Sequence, residues 1–270
     1  MLIALDIDGT VVHEDGRLSD LILHEVGRLV AEGHEVMLAT GRSASGTMPV
    51  LEQLGITPEY VVCSNGAITL RRDAAAPTGY RREFVETFDP TSVLTTIRSY
   101  LEGARYAVED EVGFYRYTEA FPDNVLGLAS ERVGFEELLG TTATRVVVIS
   151  PDHAVEDFLG VVERMGLHRV SYAVGWTAWL DIAPDGVNKA TALERVREAL
   201  GFSASNVVAV GDGRNDIEML EWASREGRGV AMGQAPQEVV AAASEVTKSV
   251  VEDGLAVVLA TVGTSDAQAR

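Results

Sequence analysis

Two aspartates at the end of a short apolar run limit the fold of this chain more than any other feature. Residues 2–5 form the continuous apolar run that is typical of a buried parallel strand, and Asp6 and Asp8 follow it. Side chains two residues apart lie on the same face of a strand, and Gly9 allows a sharp turn after them. Ligands of open α/β sheets bind at this end of the strands. From these residues alone, a solvated acidic turn after the strand is the alternative.

Strand and helix patterns alternate at short spacing in the first and last thirds of the chain, which indicates βαβ units and a parallel sheet. Ser19 or Asp20 is expected to cap the first helix, and Gly33 to end it. The remaining strands are predicted at 35–39, 60–63, 206–210 and 229–232, and the remaining helices at 49–54, 188–200, 236–243 and 254–261.

The middle third has a different pattern, in which neighbouring strands pair locally. Strands are predicted at 68–72, 80–85, 106–110, 113–117, 145–149, 170–174 and 176–182, and helices at 89–101 and 151–165. We therefore predict an α/β protein with a Rossmann-like parallel sheet flanked by helices. This core is expected to comprise residues 1–82 and 182–270, and an inserted α+β unit to comprise residues 83–181.

Composition narrows the range of partners. The chain has 270 residues and a formal net charge of −19, which argues against binding to nucleic acid, and an anionic substrate would need local cations or a metal. No apolar run is long enough to span a bilayer, so no membrane partner is expected. Cys63 is the single cysteine and excludes an internal disulfide. A cytoplasmic location follows as the default expectation.

Several predicted strand ends carry polar side chains that suit phosphate chemistry. Clustered carboxylates are the hard oxygen ligands that Mg²⁺ prefers, while a hydroxyl, a lysine and free backbone N–H groups suit phosphate oxygens. One carboxylate can attack phosphorus, and a second carboxyl can protonate the leaving oxygen and then deprotonate water. The side chains concerned are Asp6 and Asp8 after the first strand, Thr40 and Arg42 after the second, Asp212 and Asp216 after the fourth, and Lys189 at a helix start.

Taken singly, these residues have simpler explanations. A lysine at a helix start is more often a solvated residue. The functional interpretation of Lys189 therefore depends on its position between Gly186 and an apolar helix. Asp216 has the alternative of a favourable acidic residue in the first turn of a helix. The order of the residues and their position at strand ends favour the phosphate chemistry.

The chain resembles the haloacid dehalogenase-like hydrolases, and most of all their Cof-type sugar-phosphate phosphatase branch. Both flanking thirds carry the resemblance, and the branch has a C2-type cap in the middle third, so residues 83–181 are expected to be a cap that selects the substrate. The matching motifs are Asp6-Ile7-Asp8-Gly9-Thr10, Thr40-Gly41-Arg42, Lys189 and Gly211-Asp212-Gly213-Arg214-Asn215-Asp216; Ser64-Asn65-Gly66-Ala67 and Glu252-Asp253-Gly254 resemble further features of the branch.

The resemblance implies a catalytic role for four residues. Asp6 is expected to be the nucleophile and also a Mg²⁺ ligand. Asp8 is expected to be the general acid and base, with its backbone carbonyl on the metal. Thr40 and Lys189 are expected to hold the transferring phosphoryl group. The implied reaction is Mg²⁺-dependent hydrolysis of a small phosphorylated metabolite, chiefly a sugar phosphate, through an aspartyl-phosphate.

Further roles follow from the same resemblance. Asp212 is expected to bind Mg²⁺, and Asp216 to bind it directly or through water. Gly41, Arg42 and Asn215 are expected to line the substrate phosphate pocket. The chain departs from the family pattern at Asp181 and Ala190, and neither is expected to touch the chemistry.

Three other functions remain open at this point. A phosphomutase of the same superfamily would need the phosphoenzyme to survive until a second hydroxyl attacks. A non-catalytic phospho-acceptor module would be about half as long and would lack the inserted unit. A binding protein that kept only the fold would be expected to have lost Asp6 or Asp8, and both are present. The particular metabolite and the oligomeric state do not follow from the sequence.

Overall fold

The computed structural model describes residues 1–13, 15–101, 103–121, 126, 129–167, 170–174 and 178–263. Its strands are β1 Leu2–Leu5, β2 Glu35–Leu38, β3 Tyr60–Cys63, β4 Ile68–Arg72, β5 Tyr80–Val85, β6 Arg105–Glu109, β7 Tyr115–Tyr117, β8 Ser130–Arg132, β9 Arg145–Ile149, β10 Val170–Val174, β11 Trp179–Pro184, β12 Val207–Gly211, β13 Arg228–Ala231 and β14 Glu245–Val246.

The helices flank these strands. The α-helices are α1 Asp20–Ala31, α2 Ala44–Leu54, α3 Thr91–Tyr100, α4 Val155–Met165, α5 Lys189–Leu200, α6 Ile217–Ser224, α7 Gln237–Ala242 and α8 Gly254–Ala260. Short 3₁₀ turns lie at Ser64–Gly66, Phe135–Leu138, Ala204–Asn206, Arg214–Asp216 and Val250–Glu252. None of the helices within the described residues is long and apolar enough to span a membrane.

A parallel sheet in the order β14-β13-β12-β1-β2 forms the centre of the molecule. The strand β1 pairs with β12 on one side and with β2 on the other, and its four apolar residues are fully buried. A parallel bridge between Ala39 and Val62 continues the sheet toward β3. Burying an apolar side chain of this size contributes about 1.5–3 kcal/mol. The apolar run at residues 2–5 is therefore a buried parallel strand, as predicted, and it pairs on both sides.

The hairpin β4–β5 belongs with this core. It pairs antiparallel with β3 in a three-stranded sheet, and Ile68 and Leu70 pack in the same apolar cluster as β1. The sequence pattern described both strands with the locally paired middle third, although the predicted core limit at residue 82 placed β4 and the first half of β5 in the core. Local pairing within a hairpin does not show which larger sheet the hairpin joins.

The remaining strands form an antiparallel sheet in the order β10-β11-β9-β6-β7-β8, with only β7 and β8 parallel. Its apolar cluster includes residues of α3 and α4 and is separate from that of the core. The predicted fold class, a parallel sheet flanked by helices with an additional α+β unit, is confirmed. The predicted boundaries at 82/83 and 181/182 fall within β5 and β11, and these domain limits remain a prediction.

Helix boundaries differ from the sequence prediction in two places. The helix α2 begins at Ala44 rather than at Pro49, because Ser43 caps it by accepting a hydrogen bond from the Gly46 N–H (3.2 Å). The predicted helix at 151–165 begins only at Val155, after a turn closed by the His153 N–H and the Ser150 carbonyl.

Some elements were not predicted or have shifted. The prediction did not include α6, β8 or β14, each of which is eight residues or shorter. The strand predicted at 176–182 is observed as β11 from Trp179, and Trp176 lies outside the described residues.

Candidate active site

The strand ends of the parallel sheet bring the predicted residues together. Leu5 of β1 pairs with Val210 of β12, so Asp6 and Asp212 follow adjacent parallel strands. Lys189 begins α5, whose cap is the Asn188 side chain accepting from the Thr191 N–H (3.0 Å). Parallel pairing thus places residues that are about 200 positions apart in sequence at one edge of the sheet.

Asp6, Asp212 and Asp216 form a buried group with Lys189, here called the carboxylate cluster. The three carboxylates each offer an oxygen within 4.8 Å of the others. The Lys189 Nζ donates to Asp6 Oδ1 and to Asp216 Oδ1, both at 2.6 Å. Lys189 is fully buried, so it is not a solvated helix-start lysine. One ammonium group faces three carboxylates, which leaves the cluster with an excess of negative charge.

Asp216 has the most complete set of hydrogen bonds in the carboxylate cluster. Its Oδ2 accepts from the backbone N–H groups of Asp212 (3.0 Å) and Gly213 (2.9 Å), while Oδ1 accepts from Lys189. Its side chain points into the site from a 3₁₀ turn before α6 and is completely buried, so it is not a solvated first-turn acid. Both of its oxygens are already engaged by protein groups.

The crowded negative charge changes the acidities of the cluster. Burial, with the charges of Asp216, Asp212 and Asp8, raises the pKa of Asp6 well above its ordinary value despite the opposing effect of Lys189. Burial and the charge of Asp216 raise the pKa of Asp212 to about 7. Burial acts to lower the pKa of Lys189, but the charges of Asp216 and Asp6 outweigh it and raise the value. The metal-free cluster is electrostatically unfavourable as it stands.

One oxygen of Asp212 supports a cation site. Asp212 Oδ1 is buried and has no hydrogen-bond partner, which is costly for a polar atom unless a ligand satisfies it. A side chain at Gly9 (φ +76°) would lie 2.1 Å from Asp212 Oδ2, so only glycine allows this approach. Carboxylate oxygens in this number fit a hard divalent cation such as Mg²⁺. The residues present therefore fit the metal that the sequence predicted.

Gln234 is a residue of the site that the sequence did not reveal. Its Nε2 donates to Asp212 Oδ2 (3.0 Å) and to the Gly9 carbonyl (2.6 Å), and its Oε1 accepts from the Val250 N–H (3.0 Å). These bonds hold Asp212 with Oδ1 as its free oxygen. No pattern in the sequence indicates this role, because it depends on the loop after β13 returning to the first motif.

Asp8 lies at the mouth of the site and forms an ion pair with Arg42. The Arg42 Nε donates to Asp8 Oδ2 (2.9 Å) and Nη2 to Oδ1 (2.5 Å), while 61% of the Asp8 side chain remains exposed. Arg42 was expected to line the phosphate pocket, and the structure places it against the second aspartate of the first motif. A guanidinium that forms two parallel bonds to a carboxylate is equally suited to a phosphate.

Thr40, Gly41 and Asn215 lie together beside the carboxylate cluster. The buried Thr40 hydroxyl accepts from the Arg42 N–H (3.1 Å). The Asn215 Nδ2 donates to Asn65 Oδ1 (3.0 Å), and a side chain at Gly41 would meet that oxygen at 3.1 Å. Asn65, quoted in the sequence only as part of a motif, thus belongs to the same group of polar side chains.

A cleft that opens to solvent adjoins this group of side chains, and it is lined both by loops of the core and by strands of the antiparallel sheet. Asp181, which was expected to lie away from the chemistry, forms part of its wall and accepts a hydrogen bond from the buried Arg145 (Nε to Oδ1, 2.6 Å). No pattern in the sequence selects Arg145, which is the first residue of the apolar strand β9. Lining residues include Asn65, Asn215, Arg145, Ser171, Tyr172 and Asp181.

The motifs, the carboxylate cluster and the additional antiparallel sheet all agree with one family. The model of the haloacid dehalogenase-like hydrolases matches residues 3–259. The chain belongs to this family. The family predicted from the motifs, and with it a hydrolase, is confirmed.

Known relatives extend over almost the whole chain. It is 29% identical over 267 residues to a 5-amino-6-(5-phospho-D-ribitylamino)uracil phosphatase of Bacillus subtilis, covering 94% of each protein. It is also 29% identical over 276 residues to a pyridoxal phosphate phosphatase of Escherichia coli, covering 94% of this chain and 96% of that protein.

Solved structures agree with the fold. A sugar phosphatase of subclass IIB superposes with a TM-score of 0.79 at 21% identity, covering 96% of this chain and 97% of the other. A haloacid dehalogenase-like hydrolase from B. subtilis superposes with a TM-score of 0.77 at 23% identity, covering 97% of this chain and 99% of the other. At these identities the similarity concerns the fold.

Proposed function

We propose that this protein is a Mg²⁺-dependent phosphatase that hydrolyses small phosphorylated metabolites, chiefly sugar phosphates, through an aspartyl-phosphate on Asp6. Its class, a phosphatase of small phosphorylated metabolites, is supported by family membership and by relatives that are named phosphatases. The metal rests mainly on one observation, the buried and unpartnered Asp212 oxygen within the carboxylate cluster. The covalent intermediate rests on the resemblance of the first motif and on the Lys189 contact that holds Asp6.

Asp6 is the nucleophile of the proposed reaction. Its carboxylate is held by Lys189 (2.6 Å), which fixes its direction and offsets part of the charge that would repel a phosphate. Attack forms a bond between an Asp6 oxygen and phosphorus, and the bond from phosphorus to the leaving oxygen breaks. Asp6 and Asp212 would hold Mg²⁺, whose charge would offset that of the substrate phosphate. Asp216, with both oxygens engaged, acts through water or by orienting Lys189.

Asp8 is the general acid and the general base of the proposed reaction. It donates a proton to the leaving oxygen in the first half, and in the second half it accepts one from the water that attacks phosphorus. Inorganic phosphate then leaves and Asp6 is regenerated. Because Arg42 suits a phosphate as well as the carboxylate it holds here, an incoming phosphate competes for it and frees Asp8 to face the leaving oxygen. Thr40 and Lys189 hold the transferring group.

We also propose that residues 83–181 form a cap that selects the substrate over a core of residues 1–82 and 182–270. The position of Arg145, Ser171, Tyr172 and Asp181 in the wall of the cleft supports this assignment, because all four lie in the predicted cap. Most of the lining side chains are polar, which favours a leaving group rich in hydroxyl or other hydrogen-bonding groups.

Phosphate release from a panel of metabolites tests the proposal. Sugar phosphates and pyridoxal phosphate are supplied with Mg²⁺, with EDTA, and with Mg²⁺ restored after EDTA, while both inorganic phosphate and isomerised sugar phosphate are measured. We expect phosphate release that EDTA abolishes and Mg²⁺ restores. Undiminished release in EDTA would contradict the metal site, and an isomer as the main product would indicate a phosphomutase.

A further inference from the structure

The turn after β3 has an unusual backbone conformation. Ser64 (φ 48°), Asn65 (φ 52°) and Gly66 (φ 100°) all lie in the left-handed region. Only glycine adopts this region without cost, so two consecutive non-glycine residues are strained there. Such strain persists only where the surroundings hold the chain in place, and it is concentrated at functional sites.

The surroundings of this turn are the segments that carry the phosphate-binding residues. The Asn65 N–H donates to the Thr40 carbonyl (3.0 Å), and the Ser64 N–H donates to the Arg42 carbonyl (2.8 Å). The Asn65 side chain accepts from Asn215. A side chain at Gly66 would lie 2.3 Å from the carbonyl oxygen of Asn188, the residue before Lys189. The turn is therefore packed against three of the four motif segments.

The Ser64 side chain points away from these segments and toward the predicted cap. Its Oγ donates to Oε2 of Glu109 at 2.9 Å, and both residues are about 1% exposed. The same Glu109 oxygen accepts from the Tyr115 hydroxyl (2.9 Å), to which Arg145 Nη1 donates in turn (3.4 Å). A buried hydrogen bond to the Glu109 carboxyl group thus joins the cap sheet to the strained turn.

We propose that Ser64 and Glu109 are positioning residues. Their hydrogen bond holds the 64–66 turn, and through it Thr40 and Asn215, in the arrangement that the transferring phosphoryl group requires when the cap covers the site. The proposal rests on the proposed phosphatase function. Orientation of groups around the reacting phosphorus acts on the chemical step more than on substrate affinity. The cap would then contribute to turnover of every substrate, beyond choosing among them.

Four variants separate this role from simpler ones. Ser64→Ala removes the donor, and Glu109→Ala removes the acceptor. Glu109→Gln keeps a carbonyl oxygen that can accept from Ser64. Tyr115→Phe is the control within the cap, because it removes the other hydrogen bond to the same Glu109 oxygen, together with the one from Arg145, and leaves the bond to the core turn in place. Thermal melting confirms that each variant is folded.

Steady-state kinetics on a small aryl phosphate and on the best sugar phosphate give the first readout. We expect Ser64→Ala and Glu109→Ala to lower kcat about 10-fold on both substrates with little change in KM, and the double variant to lose no more than either single one. Glu109→Gln should recover most of the rate, and Tyr115→Phe should match the unmodified enzyme. A loss confined to the sugar phosphate, or an equal loss in Tyr115→Phe, would overturn the proposal.

Hydrogen exchange of the Ser64 and Asn65 amides gives a second readout that needs no activity. Both amides donate from the turn to the carbonyl oxygens of Arg42 and Thr40. If the bond between Ser64 and Glu109 holds the turn, these amides exchange faster in Ser64→Ala and at a nearly unchanged rate in Glu109→Gln. Unchanged exchange in Ser64→Ala would overturn the proposal even in an active enzyme. An unmodified protein without phosphatase activity would instead refute the proposed function, and the exchange result would still decide whether the bond holds the turn.

Discussion

Two groups of buried charges lie at the two largest sheets of the described structure. One is the carboxylate cluster at the edge of the parallel sheet. The other, here called the cap network, comprises Glu109, Tyr115, Arg145 and Asp181. In the cap network Arg145 lies between two carboxylates, and a chain of hydrogen bonds runs from Trp179 to Ser64.

The two groups differ in how completely their polar atoms are satisfied. Among the described residues, the buried side-chain atoms without a hydrogen-bond partner are Asp212 Oδ1 and Thr10 Oγ1, and both lie in the core. The cap network contains none of them. A buried polar network with every member satisfied stabilises one structure, whereas an unsatisfied charge is tolerated where a ligand completes it. The comparison supports the proposal that the core group binds the metal and the phosphate, while the cap network stabilises the structure around it.

We expect the largest effect when one carboxylate is removed from each group, because the free energy of unfolding should change in opposite directions. Asp181→Asn leaves the buried Arg145 without its main partner and should destabilise the protein by about 3–5 kcal/mol. Asp212→Asn relieves repulsion and should stabilise the metal-free protein by roughly 1 kcal/mol, while abolishing Mg²⁺ binding. Urea unfolding in EDTA measures both changes. A destabilisation of similar size in both variants would remove the distinction between the groups.

The next largest effect concerns Gln234, which orients the carboxylate that carries the unpartnered oxygen of Asp212. Gln234→Ala removes the hydrogen bond that orients Asp212, and such outer contacts to metal ligands are typically worth about 10–100-fold in metal affinity. Isothermal titration with Mg²⁺ measures the change. Trp179→Phe, which removes a hydrogen bond to the cap carboxylate Asp181, should leave Mg²⁺ affinity unaltered and serves as the control. Equal affinity of the Gln234→Ala and unmodified proteins would contradict this role.

The smallest effect is a dependence of metal-free stability on pH. The pKa of Asp212 is 3.8 in the unfolded chain and about 7 in the folded protein, and that of Asp6 is raised in the same direction. Between these values the folded protein holds protons that the unfolded chain has lost, so stability is highest at low pH and declines as the pH rises toward about 7.

Thermal melting in EDTA at about pH 5 and about pH 8 checks this direction, and we expect the melting temperature to be several degrees lower at the higher pH. Saturating Mg²⁺ should abolish most of the decline. The Asp212→Asn variant controls for the general repulsion of a chain with a net charge of −19, and it should show a smaller decline. If the melting temperature fell by the same amount in Asp212→Asn, the pH dependence would arise from the overall net charge and not from Asp212.

The sequence predicted the carboxylate cluster because its residues follow short apolar strands. Strand alternation and a parallel sheet place Asp6 and Asp212 at the same end of the sheet, and the resemblance implies the roles of both and of Lys189. The pairing of Arg42 with Asp8 could not be predicted, because both the carboxylate and a phosphate are suitable partners for a guanidinium.

The cap network could not be predicted from the sequence, because its contacts join residues that are far apart in the chain. Arg145 opens the apolar run of β9, and nothing near it in sequence indicates a buried charge. Its partner Asp181 lies 36 residues away, and the two meet only because β11 pairs with β9. Gln234 likewise meets Gly9 across 225 residues. Local periodicity indicates which face of an element is buried, and it carries no information on these long-range polar contacts.

The central claim, that Asp6 carries the phosphoryl group, is tested most directly by trapping the intermediate in Asp8→Asn. An aryl phosphate has a good leaving group and needs little protonation, so Asp6 should still be phosphorylated, while dephosphorylation is slow because the base is absent. General acid–base assistance is typically worth ~10²–10⁴-fold, so turnover of sugar phosphates should fall by about that factor. Mass spectrometry should then find an acid-stable, hydroxylamine-sensitive phosphate on Asp6, which Asp6→Asn abolishes together with turnover. Phosphate on any other residue, or normal turnover of sugar phosphates by Asp8→Asn, would contradict the account.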